Sequence, residues 1–233
     1  MSFDGHAGPF ACIIPCYNAG SRVLPVVQAA LAETPHVLVV DDGCTDGCLE
    51  EVTKLPARIE RHPRNRGKGH AILTGLRTAL QDASLQGFAL LDADGQHDPG
   101  RLPDFYQALQ AEQADLVIGA RVFDGGHVPW RSRFGNQVTA RVTRRLLGVQ
   151  LPDTQCGFRM LSRRFAEDMV AHVAGGRYET EMEMIVRAVR HDFRLASVPI
   201  QTIYEAGNKS SHFNKFADSA RIYYRLVQAV LRS

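Results

Sequence analysis

The sequence predicts an α/β fold: a single domain on a mainly parallel sheet with helices on both faces. Short runs that are apolar throughout, rather than alternating, punctuate the chain, and such strands belong to sheets covered on both sides. Segments of helical spacing separate them. Three of the runs, ending at Ile14, Val40 and Leu91, stop at polar loops. In open parallel sheets ligands bind at the carboxyl ends of the strands, so these loops are expected to converge on one site.

FACIIP at 10–15 is the first strand, and CYNAG is the loop behind it. Residues 22–33 have helical spacing, with Pro25 suited to the first turn. HVLVV at 36–40 is the second strand and stops at DDGCTDG; RIERH at 58–62 is the third. HPRNRGKG is a loop. GHAILTGLRTALQDA at 69–83 is a helix with Ala71, Ile72, Gly75, Leu76, Ala79 and Leu80 on its apolar side. GFALL at 87–91 is a strand entering LDADGQHDP, and a helix at about 101–113 precedes the strand ADLVIG at 114–119. These elements form a first half, about 10–120.

The second half, about 121–212, opens with a basic amphipathic helix at 131–148. A loop and strand in DTQCGFRMLSRR, helices at 165–173 and 178–191, and the strand RLASVPIQTIY follow. A helix at 213–232 closes the chain. No Pro/Gly/Ser linker and no internal repeat divides residues 1–233, which read as one domain.

Composition narrows the function. With 27 basic and 25 acidic residues the net charge is +2, too balanced for a bulk nucleic-acid binder. No stretch approaches the ~20 apolar residues of a membrane span, and MSFDGHAGPF is not a signal peptide, so a cytoplasmic location is expected. Cys12, Cys16, Cys44, Cys48 and Cys156 are odd in number, which argues against a disulfide framework. The two C-x3-C pairs could be read as four zinc ligands. Each pair brackets a loop with a better explanation, so small buried or loop-lining thiols are the preferred reading.

Three loops carry the chemistry. In DADGQ, Asp92 and Asp94 project to one face of an extended segment. Two close carboxylates repel unless a cation or proton lies between them, and a hard divalent ion takes such oxygen ligands together with phosphates. The plain alternative is a solvated turn. In DDGCTDG, acids after a buried strand suit a ribose or base, while Thr45 or Asp46 could equally cap a helix starting near Cys48. RNRGKG is a basic, Gly-rich loop before a helix, which favours bound anions. It matches neither G-x4-G-K-S/T nor G-x-G-x-x-G.

PCYNAG, VLVVDDGCTDG, NRGKGHAILTGL, LLDADGQHDP and IGAR occur in this order. Here the sequence resembles the family-2 glycosyltransferases of the glycosyltransferase-A fold, a Rossmann-like nucleotide-diphospho-sugar transferase architecture. Within them it is most similar to the polyprenyl-phosphate sugar synthases, the dolichol-phosphate mannose synthase group. The resemblance spans about residues 10–205. It implies a nucleotide-sugar site at Pro15, Tyr17, Asn18, Asp42, Gly67, Lys68, Asp92 and Ala93, with Pro15 and Tyr17 lining the base pocket and Asp42 on base or ribose. It implies a divalent metal (Mg2+ or Mn2+) on Asp94, with Gln96 as a further contact, and Arg121 facing the phosphates. DTQCGFR, with Asp153 and Arg159, resembles the acceptor-side motif. Ala19 stands where the subgroup has Glu, and Cys44 where Ser is common. GNKSSHF replaces G-x-S-K, leaving Lys209 or His212 to neutralise phosphate.

The implied reaction is attack of an acceptor oxygen on the anomeric carbon of a UDP- or GDP-sugar, with inversion. A lipid phosphate is already ionised and needs no base. A hydroxyl acceptor would need one, and Asp153 is the candidate, against the plain reading of a loop acid capping the next segment. Of the basic helix, Arg131 and Arg133 stand nearest IGAR and could meet the acceptor phosphate or an anionic bilayer surface. A charge run is otherwise a solvated face. The apolar side of 213–232 reads first as core packing, and second as a surface for the membrane, a second copy or a membrane-protein partner. Glu179 and Glu183 share a helix face, either as a surface stripe or lining the acceptor side.

Overall fold

The computed structural model describes residues 8–122, 151–177, 179–201 and 203. Seven strands form one sheet among them: β1 Phe10–Cys16, β2 Val37–Asp41, β3 Arg58–Arg61, β4 Gly87–Leu90, β5 Leu116–Arg121, β6 Arg159–Ser162 and β7 Leu195–Ile200. Five helices flank it: α1 Val23–Glu33, α2 Lys68–Ala79, α3 Leu102–Ala111, α4 Arg163–His172 and α5 Glu179–Arg190. The strand order is β3-β2-β1-β4-β6-β5-β7. Pairing is parallel except along β6, which runs antiparallel to both β4 and β5. Strands from both halves of the chain thus share one sheet.

Apolar composition decides which strands lie innermost. Every residue of VLVVD in β2 and GFAL in β4 is buried, whereas the edge strand RIER has no buried residue. The helices fall into two groups, α1 with α3 and α2 with α4 and α5, one on each face. Phe105 of α3 stacks on Phe158 at 4.0 Å between ring centroids, which seats the loop before β6 on the core. Capping follows the local sequence. Asp98 accepts from the Gly100 amide at 2.9 Å to start a 3-10 turn, and Ser162 accepts from the Phe165 amide at 3.2 Å to start α4. No helix forms at Cys48; instead Asp46 accepts from the Cys48 and Gly20 amides, joining two loops.

The β6 insertion is anchored by Asp115. Its carboxylate accepts from Ser162 Oγ at 2.9 Å, from Arg164 at 2.5 and 3.1 Å, and from the Arg194 amide at 2.9 Å. Three strand ends are held by one side chain. Burial alone would raise its pKa, but these donors, Arg164 foremost, hold it below the usual carboxylate value. A depressed folded pKa contributes stability that is present above the unfolded value of about 3.9 and is lost as pH falls through the folded one. Asp115→Ala should therefore cost about 3 kcal/mol at pH 7. Its stability in urea should change less than the parent's below about pH 4.

Candidate active site

The loops after β1, β2 and β4 meet at the carboxyl edge of the sheet, with the start of α2 between them. Tyr17, just past β1, is 37% exposed and stands at the lip. Pro15 lies within β1 and is half-buried. Asn18 takes a left-handed conformation, φ 49°. Its Oδ1 accepts from the Thr45 amide at 2.8 Å, so it ties the first loop to the second.

Asp42, the expected contact to base or ribose, is 2% exposed and surrounded by protein donors. Oδ1 faces His62 Nδ1 at 2.7 Å and the Arg66 amide at 2.9 Å; Oδ2 accepts from the Gly67 amide at 2.8 Å. A carboxylate only accepts, which puts a proton on His62 Nδ1; Nε2 meets Thr74 Oγ1 at 2.9 Å. Gly67, expected at the nucleotide sugar, is likewise spent on Asp42. The next acid along, Asp41, accepts from the Gly43 and Cys44 amides at 3.1 and 2.7 Å and pairs with Arg61. The basic Gly-rich loop does gather anions, but they are the protein's own carboxylates.

Lys68, the first residue of α2, sits between two of them. Its Nζ lies 2.5 Å from Asp92 Oδ1 and 2.9 Å from Glu181 Oε1. Burial disfavours the ammonium, but the two carboxylates overcome this and raise its pKa. Burial would likewise raise Asp92, and Lys68 more than offsets it, keeping Asp92 ionised. Asp94 is the opposite case. Burial first, and then the charge on Asp92, push its carboxyl above the usual range, and the Gln96 amide at 3.0 Å on Oδ1 only partly compensates. One carboxylate of the pair is thus neutralised by a lysine, while its neighbour is electrostatically uncomfortable as an anion. Ala93 between them is 6% exposed.

Gly157 presses on the same pair. A Cβ there would lie 2.3 Å from Asp92 Oδ2, inside any allowed contact. Gly157→Ala should leave the fold intact but push Asp92 off Lys68. Transfer activity should fall on the order of 100-fold. Circular dichroism and steady-state kinetics would check both halves of this.

The acceptor-side motif is mostly engaged in structural bonds. Asp153 is 1% exposed. It grips Arg121 through two contacts, Nε–Oδ2 at 2.5 Å and Nη2–Oδ1 at 3.1 Å, and Oδ1 also accepts from the Gln155 amide. Asp153 is the base expected for a hydroxyl acceptor, and here its carboxylate is paired with Arg121. Arg159 is fully buried and donates to the backbone carbonyls of Cys156, Thr154 and Glu181. It pins the loop to α5. Arg131, Arg133, Lys209 and His212, and the expected helices at 131–148 and 213–232, lie outside the described residues.

The model of the family "Glycosyl transferase family 2" matches residues 11–170. The chain belongs to that family. This glycosyltransferase is 33% identical to the polyprenol monophosphomannose synthase of Mycolicibacterium smegmatis over 81% of this chain and 75% of that one. It is 26% identical to the UDP-N-acetylglucosamine–dolichyl-phosphate N-acetylglucosaminyltransferase of Methanococcus voltae, over 92% and 93%. Its fold is that of the glycosyltransferase-A enzymes. It superposes on the crystal structure of Mycobacterium tuberculosis glucosyl-3-phosphoglycerate synthase with TM-score 0.73 and 18% identity, covering 96% of this chain and 81% of that one. That enzyme has also been crystallised with Mn2+, UDP-glucose and phosphoglyceric acid.

In this glycosyltransferase the residue that sequence reasoning missed is Glu181. It lies 113 positions from Lys68, and of the acids in ETEME it was Glu179 and Glu183 that shared the expected face. Glu179 has a buried Oε2 with no hydrogen-bond partner among the described residues. His97 packs against Phe158 at 5.8 Å between centroids, and among the described residues its Nδ1 has no hydrogen-bond partner. Among the described residues no helix is long and apolar enough to cross a membrane.

Proposed function

We propose that this glycosyltransferase moves a sugar, with inversion, from a nucleoside-diphosphate sugar to a lipid-phosphate acceptor at the cytosolic membrane face. The observation that carries the reading is the asymmetry of the D-A-D pair: Asp92 neutralised by Lys68, Asp94 left with a raised pKa beside it. A divalent ion, Mg2+ or Mn2+, fits that donor set, with Asp94 and Gln96 as the residues that would hold it. When bound, such an ion supplies charge stabilisation to the diphosphate leaving group. The Mn2+ complexes of the structurally similar synthase support the same reading.

The remaining work falls to the chain's own residues. Lys68 keeps Asp92 ionised and fixed, ready to accept hydrogen bonds from donor hydroxyls. Asp153 holds the Arg121 guanidinium at the end of β5, where a cation can meet developing phosphate charge. The acceptor oxygen forms its bond to the anomeric carbon as the bond to the diphosphate breaks, and the electron pair leaves with the nucleoside diphosphate. A phosphate oxygen brings no proton to remove. With Asp153 locked on Arg121, a lipid-phosphate acceptor is favoured over a hydroxyl one. The names of the two similar lipid-phosphate sugar transferases support this choice.

The test is a transfer assay pairing UDP- and GDP-sugars with a polyprenyl phosphate or the matching free polyprenol. Product should form with the phosphate and not with the alcohol. Transfer to the alcohol at a comparable rate would overturn the reading. Asp153→Asn should lower transfer to the phosphate without abolishing it, because its part is to position Arg121. Loss as complete as that from Asp94→Asn, in a folded protein, would instead mean a proton acceptor is required.

A further inference from the structure

Three of the five cysteines converge. Cys16 ends β1, while Cys44 and Cys48 lie in the loop after β2. Cys16 Sγ is 3.8 Å from Cys48 Sγ and 3.9 Å from Cys44 Sγ, and all three sulfurs lie within 4.8 Å of one another. The other two are elsewhere: Cys12 is fully buried within β1, and Cys156 is buried beside His97 in the loop before β6. The trio therefore mixes one cysteine of the first C-x3-C pair with both of the second, a grouping the linear spacing does not show.

We infer that Cys16, Cys44 and Cys48 form a thiolate site for a soft divalent ion, Zn2+ being the natural occupant, separate from the carboxylate site at Asp94. The geometry carries the inference. Zinc–sulfur bonds of about 2.3 Å in a tetrahedral arrangement set sulfurs about 3.8 Å apart, which two of the three separations already meet. Closing the third pair needs a rotation of a partly exposed side chain. The site has an entrance: Cys44 and Cys48 line a cleft of about 250 Å³ with Asp41, Glu50 and Arg61. A solvent molecule can complete the fourth position from that side. An ion with three thiolates carries a net charge of −1, and Arg61 stands on the cleft wall, paired with Asp41. The Asn18 amide points at Cys44 Sγ from 3.4 Å, a backbone donor of the kind that orients a metal-bound thiolate.

Each thiol would give its proton to solvent on coordination. The site would clamp the PCYNAG loop to the GCTDGC loop beside Tyr17. It does not depend on the sugar-transfer reading.

The experiment is Co2+ titration of the full chain, stripped of metal and held under a non-thiol reductant. One equivalent should produce thiolate-to-cobalt charge-transfer absorption with tetrahedral d–d bands, displaced by Zn2+. The same spectrum should appear in Asp94→Asn, which removes the carboxylate site. Cys48→Ala and Cys44→Ala should each weaken Zn2+ binding by more than about 100-fold, beyond what outer-shell changes cost. Both positions are partly exposed, and circular dichroism would establish that the variants fold. Zn2+ should also raise the melting temperature of the parent and not of Cys48→Ala. Absence of charge-transfer absorption in the folded parent, or its persistence in both variants, overturns the inference.

Discussion

Asp94→Asn should abolish the metal-dependent part of nucleotide-sugar binding while leaving the fold unchanged. Asp94 carries the raised carboxyl of the pair, pushed up by burial and by Asp92, and it accepts from the Gln96 amide. The amide side chain removes the charge that a hard cation requires but keeps the shape. In the parent, sugar nucleotide at 100 times its dissociation constant should add about 2.7 kcal/mol of stability. A thermal-shift panel of UDP- and GDP-sugars with and without Mn2+ reads this directly. In the variant the Mn2+-dependent increment should disappear for every nucleotide. An unchanged increment would remove Asp94 from the metal site.

Lys68→Met should be the most destabilising single change at this edge, at about 3 kcal/mol, because it strands Asp92 and Glu181 without their shared cation. The pH dependence has a definite sign. In the parent, Lys68 holds the Asp92 pKa down, so that contribution is present above about pH 4 and lost as pH falls through the folded value. In the variant that pull is gone, burial raises Asp92, and a proton taken up at lower pH relieves it. The stability gap between parent and variant should therefore narrow from pH 8 to pH 5. Adding Glu181→Gln to Lys68→Met should recover more than 1 kcal/mol, since one of the two stranded charges is removed. Strict additivity of the two single changes would mean the triad is not coupled.

The elements with strong local signals were legible. FACIIP, HVLVV and GFALL are apolar through and through, and they became β1, β2 and β4 within a residue of their expected ends. Helix α2 began at Lys68, one residue before the expected start. Which acid faces a ligand and which props up a loop was not legible. Asp41 and Asp42 are adjacent and alike in sequence, and only the tertiary fold brings His62 and two amides onto Asp42. The same holds for Arg159, whose neighbours are backbone carbonyls that no side-chain pattern announces. Glu181 and the cysteine trio are unions of distant segments. The antiparallel run of β6 likewise has no local signature, since RMLS would read the same in either direction of pairing.

That one reversed strand governs how the polypeptide can be made. On a ribosome, the first four strands can pair as soon as Leu90 emerges, but the flank of β4 then has no neighbour. β5 cannot fill the gap, because its own partners are β6 and β7. Roughly 70 residues separate Leu90 from Arg159, on the order of 3–15 s of synthesis. Through that interval a fully apolar strand edge waits for its mate, the kind of surface that recruits chaperones or another nascent chain. Release of the stalled chain at any point before Ser162 should yield aggregate.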